Sequence, residues 1–220
     1  SKSFMVRKNC VYLDGGLSLG TLLSILASHS LSGLENLASI PSTVGGAIVN
    51  NTGAFDCNFG SFVEYVECVK RSNLTKKLLL KKDDCSFSYR NSLFKSGDYI
   101  ILRVKLKLYN STKEKILSKI RYYTLLKTEN QPINFFSAGS VFKRSMLPPA
   151  KLIDELGFKG YSLGGAMVSI KHAGFIINYN NALARDVLKL IRLIKRKIKE
   201  EFKISLVEEI EYVKYIYKKD

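Results

Sequence analysis

The chain has 220 residues, 46% of them hydrophobic and 25% charged, which suits an ordinary folded protein with a real core in one large or two small domains. No stretch reaches the about 18 apolar residues that a membrane span needs, and Ser1–Leu19 lacks the apolar core and cleavage site of a signal peptide. The formal charge of +16 leaves open a nucleic-acid surface, an anionic membrane surface, an anionic small substrate, or cations spread over solvated faces. Lysines such as Lys195, Lys197 and Lys199 are scattered rather than massed among aromatics, and no nucleic-acid-binding signature is present, so neither nucleic acid nor membrane is expected as a partner.

In chain order, Leu19–Ser28 reads as a short helix after the Asp14-Gly15-Gly16 turn. Gly33–Phe55, rich in Gly, Ser, Asn and Thr, reads as a tightly folded loop. Phe62–Val69 alternates as a strand, with Val63, Tyr65 and Val69 on one face and Phe62, Val66 and Cys68 on the other. Asn73–Lys77 reads as a turn before Leu78–Leu80. Tyr99–Leu108 is the clearest strand, its Leu102, Val104, Leu106 and Leu108 alternating with basic residues. Asn110-Ser111-Thr112 marks a seam, followed by a helix capped by Thr112 that turns Ile116, Ile120 and Tyr123 inward. Pro149 opens a short helix over 150–156 that Gly157 stops. The longest helix is Ala184–Phe202, with a stripe of Val187, Ile191, Ile194, Ile198 and Phe202, and a final strand is expected over Ile204–Val213. The expectation is an α+β chain with one part at 1–109 and a second at 110–220. There are no internal repeats or low-complexity tracts.

Four cysteines (Cys10, Cys57, Cys68, Cys85) show no C-x-x-C spacing, and His29 and His172 are far apart, so no metal set is expected and the thiols read as reduced in a cytoplasm. Gly45 and Gly46 permit close approach of a bulky ligand and can form an anion-binding nest, or simply build a structural loop. Arg90, in Tyr89-Arg90-Asn91-Ser92 on or just before a strand, can clamp a carboxylate or lie on the surface. Ser140 follows Gly139 in a small-residue turn. A serine hydroxyl is a poor acid that gives its proton only to a strong base such as an enolate, and the alternative is a turn serine. A lone His172 reads as structural, and Lys171 as a phosphate contact or a solvated side chain. Strand alternation allows Glu209 to face a cleft while Ile210 packs, but charge alone does not single it out from Glu208 and Glu211.

The segments around Ile40-Pro41, Thr43-Val44-Gly45-Gly46-Ala47, Asn51-Thr52-Gly53-Ala54-Phe55, Tyr89-Arg90-Asn91-Ser92, Ala138-Gly139-Ser140-Val141-Phe142-Lys143, Lys171-His172-Ala173-Gly174-Phe175 and Leu206 with Glu209 resemble, in the correct order, the UDP-N-acetylenolpyruvoylglucosamine reductase family in its compact form. The resemblance implies the remainder of a two-part FAD-binding domain at 1–109, a substrate-binding domain at 110–220, and NADPH-driven reduction of UDP-N-acetylglucosamine enolpyruvate to UDP-N-acetylmuramate for peptidoglycan synthesis. It further implies that Ser140 protonates an enolate which Arg90 and Glu209 stabilise. Pro41, Thr43, Gly45, Gly46, Asn51, Gly53 and Ala54 would then touch FAD, and Tyr89, Lys143 and Arg144 the substrate. Ser39 and Ser42 stand where the family's pattern has glycine, Phe55 where it has tyrosine, and Arg144-Ser145 where it has Asn-Pro. The family's Gly-Ser-Asn loop has no counterpart before Val11, so the chain reads as lacking the first part of the FAD domain. The rival expectation is a remnant that binds nucleotide-sugar without catalysis.

Overall fold

The structure, a computed structural model, describes residues 4–55 and 57–213. The chain is α+β and divides into two compact units, Ser1–Leu126 and Lys127–Asp220. The division falls within a helix that follows the expected seam at Asn110.

The first unit contains β1 (Phe4–Arg7), β2 (Cys10–Asp14), α1 (Leu19–Ser28), β3 (Leu31–Ser32), α2 (Val44–Val49), β4 (Gly53–Ala54), β5 (Cys57–Asn58), β6 (Val63–Lys70), β7 (Asn73–Lys81), β8 (Tyr99–Lys107), β9 (Tyr109–Asn110) and most of α3 (Lys113–Asn130). Its main sheet is antiparallel, in the order β1-β2-β8-β6-β7. Ser18 caps α1 by accepting from the Thr21 amide, and Leu19, Leu22, Leu23 and Leu26 form the buried stripe. They pack with Val66, Val104, Leu106 and Phe59 in one core. The outer face of β8 is wet but paired, Arg103 to Asp14 at 3.1 Å and Lys105 to Glu64 at 2.6 Å. On α3, Thr112 accepts from the Lys115 amide at 3.4 Å, Ile116 is buried, and Ile120 and Tyr123 pack against this core, all as the sequence predicts.

Three local expectations are corrected. Within Gly33–Phe55 the chain forms a turn of 3-10 helix at Glu35–Leu37 and the helix α2, because Thr43 caps it and Val44, Ala47 and Ile48 share a buried side. The two faces of β6 do not follow simple alternation: Val63, Val66, Cys68 and Val69 are all buried. Register shifts between Val63 and Tyr65 and between Glu67 and Cys68 rotate the strand relative to β8. Asn73–Lys77 belongs to β7, an edge strand exposed along most of its length, so its pairing leaves no hydrophobic alternation to read. The turn chemistry of Asn73 is nonetheless present, since its Oδ1 accepts from the amides of Thr75 and Lys76 at 3.2 Å.

The second unit contains β10 (Ser137–Ser140), α4 (Pro149–Glu155), β11 (Ser162–Leu163), β12 (Ala166–Val168), β13 (Phe175–Asn178) and α5 (Ala184–Phe202). The antiparallel sheet runs β10-β13-β12-β11. α5 has the bounds read from its periodicity and buries Leu190, Ile191, Ile194 and Ile198, with Val187 and Phe202 partly covered. Each such side chain contributes about 1.5–3 kcal/mol when fully buried. The expected strand at Ile204–Val213 is not continuous. Only Glu208 pairs, as an isolated bridge to Phe142, because a single residue-long stretch of backbone meets β10's extension before the chain turns away.

Candidate active site

In the first unit, the amino end of α1 and the loop before α2 enclose an open groove of about 540 Å³ lined by Ser18, Ser39, Ile40, Pro41, Ser42 and Thr43. Its lining is hydroxyl-bearing and apolar, without a cation. The amides of Val44, Gly45 and Gly46 are already donated, to Leu17 O, Gly15 O and Thr43 Oγ1 respectively. An anion nest at the two glycines is therefore not formed. What Gly45 provides is close packing: a Cβ there would lie 3.0 Å from the Gly15 carbonyl oxygen. Ser39 has φ +64, the left-handed region that favours glycine, and its hydroxyl donates to Thr124 Oγ1 at 3.3 Å.

Arg90 does not sit on a strand. Ser88 and Asn91 exchange backbone bonds across a two-residue turn with Tyr89 and Arg90 at its tip, and Arg90 has φ +53. A non-glycine residue at that angle persists only when its surroundings over-determine it. Here they do. Asn51, 5% exposed, donates to Ser88 O at 2.9 Å and accepts from the Gly60 amide at 2.9 Å. Arg90 Nη1 donates to Gly53 O at 3.0 Å, Lys95 Nζ to Arg90 O at 3.2 Å, and Ser92 Oγ to Val49 O at 2.8 Å. The guanidinium lies 5.4 Å from the Tyr89 ring centroid. The structure thus brings Asn51, Gly53, Tyr89 and Arg90 together, with Ala54 paired to Cys57 beside them.

In the second unit, β10 pairs with β13 through Ser137–Ile177 and Ser140–Phe175, a shift of one residue that bulges the strand at Ala138 and Gly139. Gly139 has φ +83, which a side chain would strain. The expected turn is therefore a strand bulge. Such a bulge re-aims the next side chain, and Ser140 is exposed, its hydroxyl 3.5 Å from Phe142 O. Beyond it, Lys143 donates its amide to Val207 O and Glu209 donates its amide to Val141 O, both at 2.8 Å. The segments bearing Ser140 and Glu209 are thus neighbours. Glu208 turns the other way: its carboxylate accepts from Lys195 Nζ at 2.7 Å and from Tyr212 Oη at 2.5 Å. Those two bonds, with the positive charges of Lys195 and Arg192, hold its acid below the usual glutamate range although burial opposes this, while Tyr212 is pushed up to about 12 by burial and by Glu208. Of the two adjacent glutamates, Glu208 is committed to α5. Lys143 is half-buried and Arg144 exposed on the loop after β10.

Residues 131–213, all within the second unit, match the family model described as the C-terminal domain of UDP-N-acetylenolpyruvoylglucosamine reductase. A UDP-N-acetylenolpyruvoylglucosamine reductase from Thermosipho melanesiensis is 42% identical over 209 residues, 94% of this chain and 70% of that protein. The chain belongs to the UDP-N-acetylenolpyruvoylglucosamine reductase family. The protein of the same name from Caldanaerobacter subterraneus subsp. tengcongensis is 39% identical over 96% of this chain and 70% of its own length. The crystal structure of the reductase from Thermus caldophilus matches with a TM-score of 0.80 at 35% identity, covering 91% of this chain and 71% of that one.

Within this family member, His172 has a local role: its Nδ1 accepts from the Gly174 amide at 3.0 Å, and burial pushes its pKa down, so the neutral ring is favoured. Lys171 Nζ donates to Thr128 O at 2.5 Å, on the last turn of α3 where a cation is favoured. One residue escaped the sequence reading. Lys127 is 5% exposed, and burial pushes its ammonium down to about 8. Its signal was legible, since it continues the 116, 120, 123 spacing of α3 by four. Among the described residues no group of His, Cys, Asp and Glu could hold a metal, the cysteines are unpaired, and no helix is long and apolar enough to cross a membrane.

Proposed function

We propose that the chain reduces UDP-N-acetylglucosamine enolpyruvate to UDP-N-acetylmuramate with FAD and NADPH, in the cytoplasm, as a step of peptidoglycan precursor synthesis. The observation that carries this reading is the amide bond from Glu209 to Val141 O, which keeps a carboxyl-bearing segment beside the strand that ends at Ser140. The names of the relatives support the same reaction. In this reading residues 1–109 hold the flavin and 110–220 the substrate.

The groove at α1 fits part of a flavin nucleotide in size and in its mix of hydroxyls and apolar surface, with Pro41 and Thr43 lining it, and a Cβ on Gly46 would crowd the hydroxyls of its lining residues Ser42 and Thr43. In this reading Asn51, Gly53 and Ala54, grouped near Arg90, would also touch the flavin. Bound flavin supplies the hydride, taken from NADPH. Hydride addition to one carbon of the enolpyruvyl double bond would leave negative charge on an enolate, which this chain's own residues would have to stabilise. The Arg90 guanidinium, held by its bond to Gly53 O, would stabilise that charge, and Glu209 is the second residue to which this reading gives a stabilising role. Ser140 Oγ delivers its proton to the second carbon, completing the saturated product. Tyr89, Lys143 and Arg144 orient the substrate, the two cations meeting its phosphates.

The test is an anaerobic two-step measurement. NADPH should bleach the protein-bound flavin, and the enolpyruvyl nucleotide should restore its absorbance with one equivalent of product. Flavin that is reduced but never reoxidised by that substrate rejects the reading. The rival reading, nucleotide-sugar binding without catalysis, predicts calorimetric binding of the UDP-sugar with no such reoxidation. It is disfavoured because Arg90, Ser140 and Glu209 are all present.

A further inference from the structure

The segment after α5 carries two glutamates in succession, and only one of them can face the Ser140 side. Leu206 is buried and Ile210 packs partly against the second core, so this face turns inward and Glu208, between them, turns inward too. Val207, on the alternate face, is exposed. An inward carboxylate at the rim of an apolar core is costly unless it is paired. Glu208 is paired twice, by Lys195 from α5 and by Tyr212 four residues onward. The segment's path is set by this side-chain packing together with its backbone bonds to the β10 side. It is not a continuous strand, and two backbone bonds, at Lys143–Val207 and Val141–Glu209, tie it to the β10 side. If the pairing of Glu208 is lost, its carboxylate gains by turning out to water, and the bond at the Glu209 amide is the one that this turn disturbs.

We propose that Lys195 and Tyr212 are positioning residues that act through Glu208 to hold Glu209 beside Ser140. The inference rests on the functional reading above for its catalytic consequence. Its structural half is independent: α5, whose buried stripe anchors it in the core, transmits its rigidity to the carboxyl-bearing segment through one side-chain ion pair.

The experiment compares wild type with Lys195→Ala, Lys195→Arg and Tyr212→Phe, all as full chains. Amide hydrogen exchange at Glu209 is read beside that at Leu190 and Ile194 of α5. In the flavin-loaded protein, reduction by NADPH is timed separately from reoxidation by the enolpyruvyl nucleotide. In Lys195→Ala we expect faster exchange at Glu209, unchanged exchange in α5, unchanged flavin reduction, and reoxidation slowed about 10- to 100-fold, the size of effect a small misplacement produces. Lys195→Arg should restore both readouts, and Tyr212→Phe, which removes one of two donors, should show a smaller loss. Unchanged exchange at Glu209 in both Lys195→Ala and Tyr212→Phe overturns the proposal whatever the turnover shows. Faster exchange at Glu209 in a protein whose wild type never passes hydride to the enolpyruvyl nucleotide upholds the clamp and rejects the functional reading instead.

Discussion

Arg90 and Ser140 occupy two differently built settings. Around Arg90, side chains from three stretches converge: Asn51 grips the turn, Lys95 and Ser92 tie its far end, and the guanidinium itself bonds to Gly53 O. Around Ser140 the backbone does the placing. A one-residue shift against β13 and a left-handed Gly139 turn an exposed hydroxyl outward, with a 3.5 Å contact to Phe142 O. The difference is chemically sensible. In the roles proposed for them, a cation that meets developing charge works best when its orientation is fixed beforehand, whereas a proton donor needs reach and a free rotor.

That contrast can be broken at each end. The largest effect is expected for Ser140→Ala, which should slow reoxidation of the flavin by about 10²- to 10⁴-fold, the usual worth of a general acid, while leaving the melting temperature and the reduction by NADPH unchanged. A comparable melting loss would mean that the hydroxyl is structural. Arg90→Lys should reduce turnover by about 10²- to 10³-fold and also lower stability slightly, because it removes the Gly53 contact together with the fork geometry. Equal turnover for Arg and Lys would remove the argument for a pre-aimed guanidinium.

A third substitution tests the scaffold alone. Asn51→Ala leaves Ser88 O and the Gly60 amide without their partner and should cost about 1–3 kcal/mol in urea unfolding. No loss would show that the loops hold each other without it.

Lys127→Met probes the buried cation through pH. The folded-state value near 8 lies below the ordinary 10.5, so the unfolded chain binds the proton more tightly. Wild-type stability from this group is present above pH 10.5 and lost as pH falls through 8. The substitution should therefore raise the melting temperature most at or below pH 8, with the gain fading by pH 10.5. A pH-independent difference would assign it to packing. The smallest effect is expected for Ser39→Gly, which should stabilise the chain by roughly 0.5–1 kcal/mol by relieving a left-handed serine, read as a shift in urea midpoint.

Much of the architecture was legible along the chain because it depends on each segment facing its own core. The stripes of α1 and α5, the Thr112 cap and the alternation of β8 report burial directly; the bounds of α1 and α5 agree with the structure, and β8 ends one residue early, at Lys107. Where burial was one-sided or absent the signal failed, as on the exposed edge strand β7 and on the bulged β6. The small helix α2 was hidden inside a glycine-rich loop because its stability comes from a cap and a packed side rather than from helix-forming residues.

The candidate site divides in the same way. Residue types and their order were enough to establish the family and to nominate the arginine, the serine and a cluster of acids. Which glutamate pairs with α5 and how Arg90 comes to sit at a strained tip depend on partners far away in the chain. Local spacing carries information about which side of an element is apolar, but a side chain's partner is chosen by packing between elements, and only the assembled units decide that.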